Sequence, residues 1–291
     1  MRRWCSLTNY GRTWLGHERP IWLISLPPRR RPTIVPVNSL FDVSGKVVLV
    51  TGGSRGIGEM IARGFVDAGA KVFISSRKAD VGAALAVELS KSGSCTSLPA
   101  DLSSEAECRR LAGELGKRES HLDVLVNNAG ATWGAPMADY DEKAFERVLA
   151  LNVKAVFHLT KFLRPMLEAA GSAESPSRVI NIGSIDGLRV PAVETYAYSA
   201  SKAAVHQLTR HLAKNLAPNV TVNAIAPGAF ESKMMHATLE AFGDEIAAAT
   251  PLKRIGRPAD MAGAAIFLAS PAACYITGVI LPVDGGLATL A

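Results

Sequence analysis

The segment Val47-Val48-Leu49-Val50-Thr51-Gly52-Gly53-Ser54-Arg55-Gly56-Ile57-Gly58 runs an unbroken aliphatic stretch into a cluster of glycines. An apolar run this short, without polar alternation, is what a strand buried on both faces looks like. Glycines allow a sharp turn and let backbone approach a ligand closely. A helix starting near Ile57 would then aim its unpaired N–H groups at an anion, as a pyrophosphate site requires. The spacing is G-x-x-x-G-x-G and not G-x-G-x-x-G, so the reading rests on the strand-turn-helix context. The competing reading is a plain turn with no ligand.

The same alternation recurs along the chain. Apolar runs at 47–50, 72–74, 96–99, 124–126, 179–182, 220–225 and 276–283 read as strands. Stretches with helical spacing at 57–68, 81–91, 105–115, 142–170, 196–216 and 259–268, with a further segment at 232–249, read as helices. Strand and helix in turn predict a doubly wound α/β fold with a parallel sheet. Right-handed crossovers then place every strand's C-terminal end on one rim, where ligands bind. The polar loop at 171–177 is too short to join domains, and no repeat divides the body. One domain is expected over 39–291.

Residues 1–38 have a different character. They hold seven of the arginines, one acid (Glu18), three of the four tryptophans and five of the sixteen prolines. The net charge of +6 therefore sits in this leader, and the body balances 25 basic against 25 acidic residues. A basic domain that binds nucleic acid is excluded on that distribution, and a neutral body gives no electrostatic reason for membrane association. The leader reads as disordered or as a misassigned start, although no methionine lies between Met1 and Met60. A mitochondrial transit peptide is the alternative, opposed by prolines that would interrupt an amphipathic helix. The cytoplasm is thus the expected location, with the mitochondrial matrix as its alternative. Cys5, Cys95, Cys108 and Cys274 are scattered, as in a reducing compartment. His121, His158, His206, His211 and His236 form no ligand pattern, so no metal is expected.

The second strand ends Ile74-Ser75-Ser76-Arg77-Lys78, with no carboxylate before Asp80. An NAD site uses an acid there to hold the ribose 2′-hydroxyl. Arg77 instead offers a fork for a 2′-phosphate, and Arg55 in the glycine turn can reach the same group, so NADP(H) is the expected cofactor. Further on, Tyr198 and Lys202 stand four apart in Tyr198-Ser199-Ala200-Ser201-Lys202, on one helix face. A phenol titrating near 10 needs a nearby positive charge to exchange protons at neutral pH, and Lys202 is placed to supply it. Gly183-Ser184-Ile185-Asp186-Gly187 lacks the G-x-S-x-G frame of a hydrolase nucleophile.

Taken with Asp101-Leu102, Asn127-Asn128-Ala129-Gly130, Asn152, Pro227-Gly228 and Val283-Asp284-Gly285-Gly286, these motifs resemble the one-domain short-chain dehydrogenase/reductase family from about residue 40 onward. Within it, Ala100-Asp101-Leu102-Ser103-Ser104-Glu105-Ala106 and Arg178-Val179-Ile180-Asn181-Ile182-Gly183-Ser184 are similar to bacterial 3-oxoacyl-[acyl-carrier-protein] reductases, including the rhamnolipid-biosynthesis subgroup. The resemblance implies a Rossmann fold with a mostly parallel seven-stranded sheet. It implies that Tyr198 exchanges a proton with the substrate oxygen and that Ser184 hydrogen-bonds that oxygen. Lys202 would lower the tyrosine pKa and bind the nicotinamide ribose, and Asn152 would hold a water linking lysine to solvent. The cofactor would lie against Gly52, Ser54, Arg55, Gly56, Ile57 and Gly58, with Arg77 at its phosphate and Asp101 and Leu102 beside adenine. Asn128, Ala129 and Gly130 would form a wall of the cleft, and after Pro227 and Gly228 the hydroxyl of Ser232, standing where the family often has threonine, would bond the nicotinamide carboxamide.

The implied reaction is NADPH-dependent reduction of a ketone, a 3-oxoacyl thioester first. An alcohol, polyol, sugar-acid or steroid dehydrogenase is the alternative, and a non-catalytic nicotinamide sensor a third reading. The segment 230–249, with Met234, Met235, Leu239 and Phe242, is either an adaptable lid or a packed surface helix. Trp133 is placed to line the mouth of the same cleft. The resemblance also implies a homotetramer, with a dimer as the alternative.

Overall fold

The computed structural model describes residues 36–290, and the expectations for 1–35 lie outside them. The first apolar run forms β1 (Val47–Thr51), buried along its whole length. On one side β1 pairs in parallel with β2 (Lys71–Ser75), which pairs with β3 (Ser94–Ser97). On the other side stand β4 (Val124–Asn127), β5 (Ser177–Ile182), β6 (Val220–Pro227) and β7 (Ile280–Val283), all parallel. The order β3-β2-β1-β4-β5-β6-β7 reverses direction between β1 and β4. That reversal opens a crevice at the strands' C-terminal ends, the place such sheets bind ligands. The doubly wound, parallel seven-stranded Rossmann architecture is as expected.

Both sheet faces are covered. Val48, Val50, Val72, Ile74, Ile180 and Ile225 pack beneath α2 (Gly56–Asp67), α3 (Ala79–Leu89) and α9 (Pro258–Ala269). Their strand neighbours Val47, Leu49, Phe73, Leu125, Val179 and Val222 face α4 (Glu105–Gly116), α6 (Ala155–Ala170) and α7 (Tyr196–Leu216). This two-sided burial is why the strands read as continuous apolar runs. A helical turn, α1 (Val37–Leu40), precedes β1, and the compact unit begins at Pro36.

Most boundaries shift by one or two residues, and three larger differences from the sequence reading have a local reason. The expected helix 142–170 is α5 (Glu142–Leu149), a π-helical turn at Ala150–Lys154, and then α6. The last strand begins at Ile280 and not at 276. Gly278 takes φ 77°, and the preceding stretch reaches β6 through Thr277 Oγ1 and the Ile276 carbonyl instead of a ladder. The segment 232–249 becomes helical only at α8 (His236–Ala249), because the Ser232 hydroxyl accepts from Met235 N and closes a turn first.

Candidate active site

The glycine turn sits where β1 meets β4. Gly52 and Gly56 have φ of 63° and 54°, values that side-chain-bearing residues rarely adopt. A Cβ on Gly52 would lie 2.8 Å from Asn128 Nδ2, and one on Gly58 would collide with the Gly52 carbonyl and Asn128. The turn is clamped to the neighbouring strand. Thr51 Oγ1 accepts from Asn128 N (2.9 Å) and Ala129 N (3.0 Å), and Asn128 Nδ2 donates to the Thr51 carbonyl at 2.8 Å. Arg55, the N-cap of α2, is extended and makes no side-chain cap, which leaves the first N–H groups of the helix free for an anion. The cradle thus fits a dinucleotide pyrophosphate.

Around this turn stand the other expected contacts. Ser54, Gly56 and Ile57 are partly exposed along it, and Arg55 is exposed. Arg77 is exposed just past the end of β2, whose Ser75 carbonyl accepts from Gly53 N at 3.2 Å. Asp101 is exposed on the rim, its Oδ1 accepting from Ser103 N, whereas the Leu102 side chain is buried in the core under α4. Pro227 ends β6, and Gly228 follows, its N–H bonded to the Val283 carbonyl at 3.0 Å. Ser232 lies over the glycine turn, its Cβ 3.0 Å from where Gly56 would carry one.

Helix α7 carries the expected tyrosine and lysine. Lys202 is 5% exposed, and its Nζ donates to the Ile182 carbonyl at 2.7 Å and lies 5.4 Å from the centre of the Tyr198 ring. Ser184 follows β5 after Gly183, and its Oγ accepts from Asp186 N at 3.1 Å. Burial pushes the Tyr198 phenol up to about 12; the Ser184 hydroxyl draws it down, and the charge of Asp186 adds to the rise. Burial also brings Lys202 down to about 8, against the pull of Asp186. Within the protein alone, then, burial and not Lys202 governs the phenol. The ammonium lies over the ring face and is engaged by a carbonyl.

Asn152 lies in the π-helical turn and is buried. Its Oδ1 accepts from Ala131 N at 2.8 Å, while Nδ2 donates to the Ala131 carbonyl and to Ser201 Oγ, both at 2.9 Å. The extra residue of such a turn redirects one side chain, and turns of this kind recur at functional sites. Here it grips the loop after β4 and ties it to α7. A Cβ on Gly130 would lie 3.3 Å from Asn152 Oδ1 and 3.8 Å from Lys202 Nζ, so the loop wall, the asparagine and the lysine meet in one place.

Three residues beside the site escaped the sequence reading. Asp186 lies in the quoted Gly183-to-Gly187 stretch, yet its influence on Tyr198 and Lys202 depends on how that turn packs against α7. His206 is buried one turn past Lys202. Tyr140 accepts from Ala197 N and donates to the Trp133 carbonyl, both at 3.1 Å, pinning the β4 loop to the start of α7. Trp133 itself is exposed, with the Arg147 guanidinium 5.5 Å over its ring.

Comparison with known proteins agrees with this geometry. A family model described as enoyl-(acyl carrier protein) reductase matches residues 52–288. The chain is 50% identical to the rhamnolipids biosynthesis 3-oxoacyl-[acyl-carrier-protein] reductase of Pseudomonas aeruginosa, over 84% of this chain and 97% of that one. It is 36% identical to 5-keto-D-gluconate 5-reductase of Escherichia coli K12, over 86% and 98%. The solved Pseudomonas aeruginosa RhlG/NADP active-site complex superposes with a TM-score of 0.83 at 49% identity, covering 86% of this chain and 99% of that one.

Proposed function

This chain belongs to the short-chain dehydrogenase/reductase family of oxidoreductases, and on that footing we propose that it reduces the ketone of a 3-oxoacyl thioester, carried on acyl carrier protein or coenzyme A, to the 3-hydroxyacyl form with NADPH. The observation that carries the reading is the convergence of Ser184, Tyr198 and Lys202 beside a pyrophosphate cradle, in a chain half identical to a 3-oxoacyl reductase along nearly all of that protein.

NADPH, when bound, supplies the hydride. The chain's own residues bind, orient and move the proton. The glycine turn and the α2 N-terminus hold the pyrophosphate, with Ser232 above them. Arg77 and Arg55 take the 2′-phosphate, and Asp101 borders the adenine. Asn128, Ala129 and Gly130 wall the cleft opposite Pro227 and Gly228. Ser184 donates a hydrogen bond to the substrate oxygen, where negative charge develops. Tyr198 gives that oxygen its proton as the carbonyl carbon gains hydride, and the Lys202 ammonium stabilises the phenolate left behind. Asn152 keeps Gly130 and Ala131 against Lys202, and its Oδ1 retains an acceptor position for a water leading to solvent.

The likeness to the gluconate reductase favours one second reading, reduction of a keto sugar acid. Following NADPH absorbance with 3-oxoacyl-acyl-carrier-protein, 3-oxoacyl-coenzyme A and 5-ketogluconate separates the two by kcat/KM. Nucleotide binding with no turnover on these or on a broad panel of carbonyls and alcohols would favour a sensor. In this reading the enzyme works in the cytoplasm as a homotetramer, which light scattering of the purified protein tests. No described helix is long and apolar enough to cross a membrane. The catalytic domain is read from Pro36, where the compact unit begins, and not from 39.

A further inference from the structure

We propose that His206, which takes no part in the proton transfer, is a positioning residue for Ser184: its imidazole is the fixed seat that sets the height of the 183–187 turn above α7. The proposal rests on the reductase reading, since it concerns where the serine hydroxyl meets the substrate oxygen.

The packing is specific. His206 is 3% exposed. A Cβ on Gly183 would collide with His206 Nε2, and one on Gly187 would lie 2.9 Å from His206 Cε1. The ring therefore occupies the side-chain space of both glycines that bracket Ser184, and the turn rests on it at both ends. A Cβ on Gly187 would also lie 2.7 Å from the Lys202 carbonyl carbon and from Ala203 N, so the turn's backbone lies directly on the helix there. Lys202 holds the same segment one residue earlier, through the Ile182 carbonyl. Two residues four apart on α7 thus grip the turn together. Inside it, Asp186 N restrains the serine hydroxyl, and Gly183 N continues the sheet through the Ile225 carbonyl at 2.7 Å.

The identity of the side chain points the same way. Neither ring nitrogen of His206 has a hydrogen-bond partner among the described residues; the Gly187 backbone is near enough to favour the protonated ring without completing a bond. Burying an imidazole unpaired is unfavourable, and a position chosen for core packing alone would carry an aliphatic residue. A flat ring, however, can lie directly on glycine backbone, in the space that side chains at 183 and 187 would otherwise fill. The charged groups that act on it are Lys202 and Arg210 on its own helix, and burial keeps the ring uncharged.

A double-mutant cycle tests the proposal, with NADPH and acetoacetyl-coenzyme A as probes. His206→Leu is expected to lower kcat about 10-fold in the native background and less than about 2-fold in Ser184→Ala, with NADPH affinity unchanged, because a residue acting through another loses its effect when that other is gone. His206→Asn, with a smaller planar group, should recover part of the loss, and it replaces the leucine variant in the cycle if that variant does not fold. Equal losses in both backgrounds, or a parallel loss of NADPH binding, overturn the proposal. A silent His206→Leu beside a damaged Ser184→Ala overturns it alone, whereas a silent Ser184→Ala overturns the reductase reading with it.

Discussion

Helices α7 and α8 lie in consecutive crossovers of one sheet, yet α7 buries eight of its twenty-one residues and α8 buries none. Along α7, Ala197, Ser201, Val205, Thr209, Ala213 and Leu216 form a stripe against β5 and β6, and Thr209 Oγ1 takes a hydrogen bond from Asn181 Nδ2 in the sheet. Each large aliphatic side chain buried this way contributes roughly 1.5–3 kcal/mol. Lys202 and His206 interrupt the stripe, carried inward by neighbours that hold the helix in place. Helix α8 leaves Phe242 about half exposed, with φ of −135° at a kink, and Met234 before it is similarly uncovered. Few buried contacts mean low local stability, which is where substrate covers are drawn from. A fixed proton donor calls for the first kind of helix, and a segment that adapts to different substrates for the second.

Substitutions can break this contrast, and the largest effect belongs to α7. Tyr198→Phe should lower kcat by about a thousand-fold or more, the range of a lost general acid, while NADPH titrated by fluorescence still binds. Substantial residual turnover would remove the proton role from α7. Arg77→Asp, on the nucleotide side, should weaken NADPH by about 100-fold, the equivalent of ~2–3 kcal/mol from lost charge-assisted hydrogen bonds. NADH should change far less, and equal changes would reject the 2′-phosphate assignment.

The acid response should also trace to α7. Burial first, and then the charge of Lys202, hold the His206 imidazole at about 4, below its ordinary 6.5. The unfolded chain then takes up a proton that the folded protein resists. Stability is therefore full above pH 6.5 and falls as the pH drops from there towards 4, by up to about 3 kcal/mol. Urea unfolding at pH 7 and pH 5 should show a smaller acid loss in His206→Leu than in the native protein, and identical losses would place the titration elsewhere. The smallest effects belong to α8. Phe242→Ala should raise KM for long-chain 3-oxoacyl thioesters by about 3-fold and leave stability within ~0.5 kcal/mol, as exposed positions do. A large drop in thermal midpoint would show α8 to be packed after all.

What could be read in advance follows the physics of each region. The strands were legible because burial on both faces leaves a continuous apolar run, and the glycine turn because backbone at φ near 60° excludes most other residues. The break inside 142–170 left no mark: Ala150-Leu151-Asn152-Val153-Lys154 contains neither glycine nor proline, and the π-helical turn answers to contacts with Ala131 and Ser201. The candidate site divides in the same way. Tyr198 and Lys202 share a face by local helical spacing. Asp186 and His206 come to that face only when the turn after β5 packs against α7.

The sequence by itself determined the layered α/β architecture, the anion-binding turn and the presence of a tyrosine–lysine pair, since these depend on local conformation and on the period of burial. Only the tertiary structure decided that the phenol is raised by burial, that Lys202 is engaged by the Ile182 carbonyl, and that the His206 ring lies against both glycines of the serine turn. Desolvation and close packing are set by residues distant in the chain, and no spacing within it encodes them.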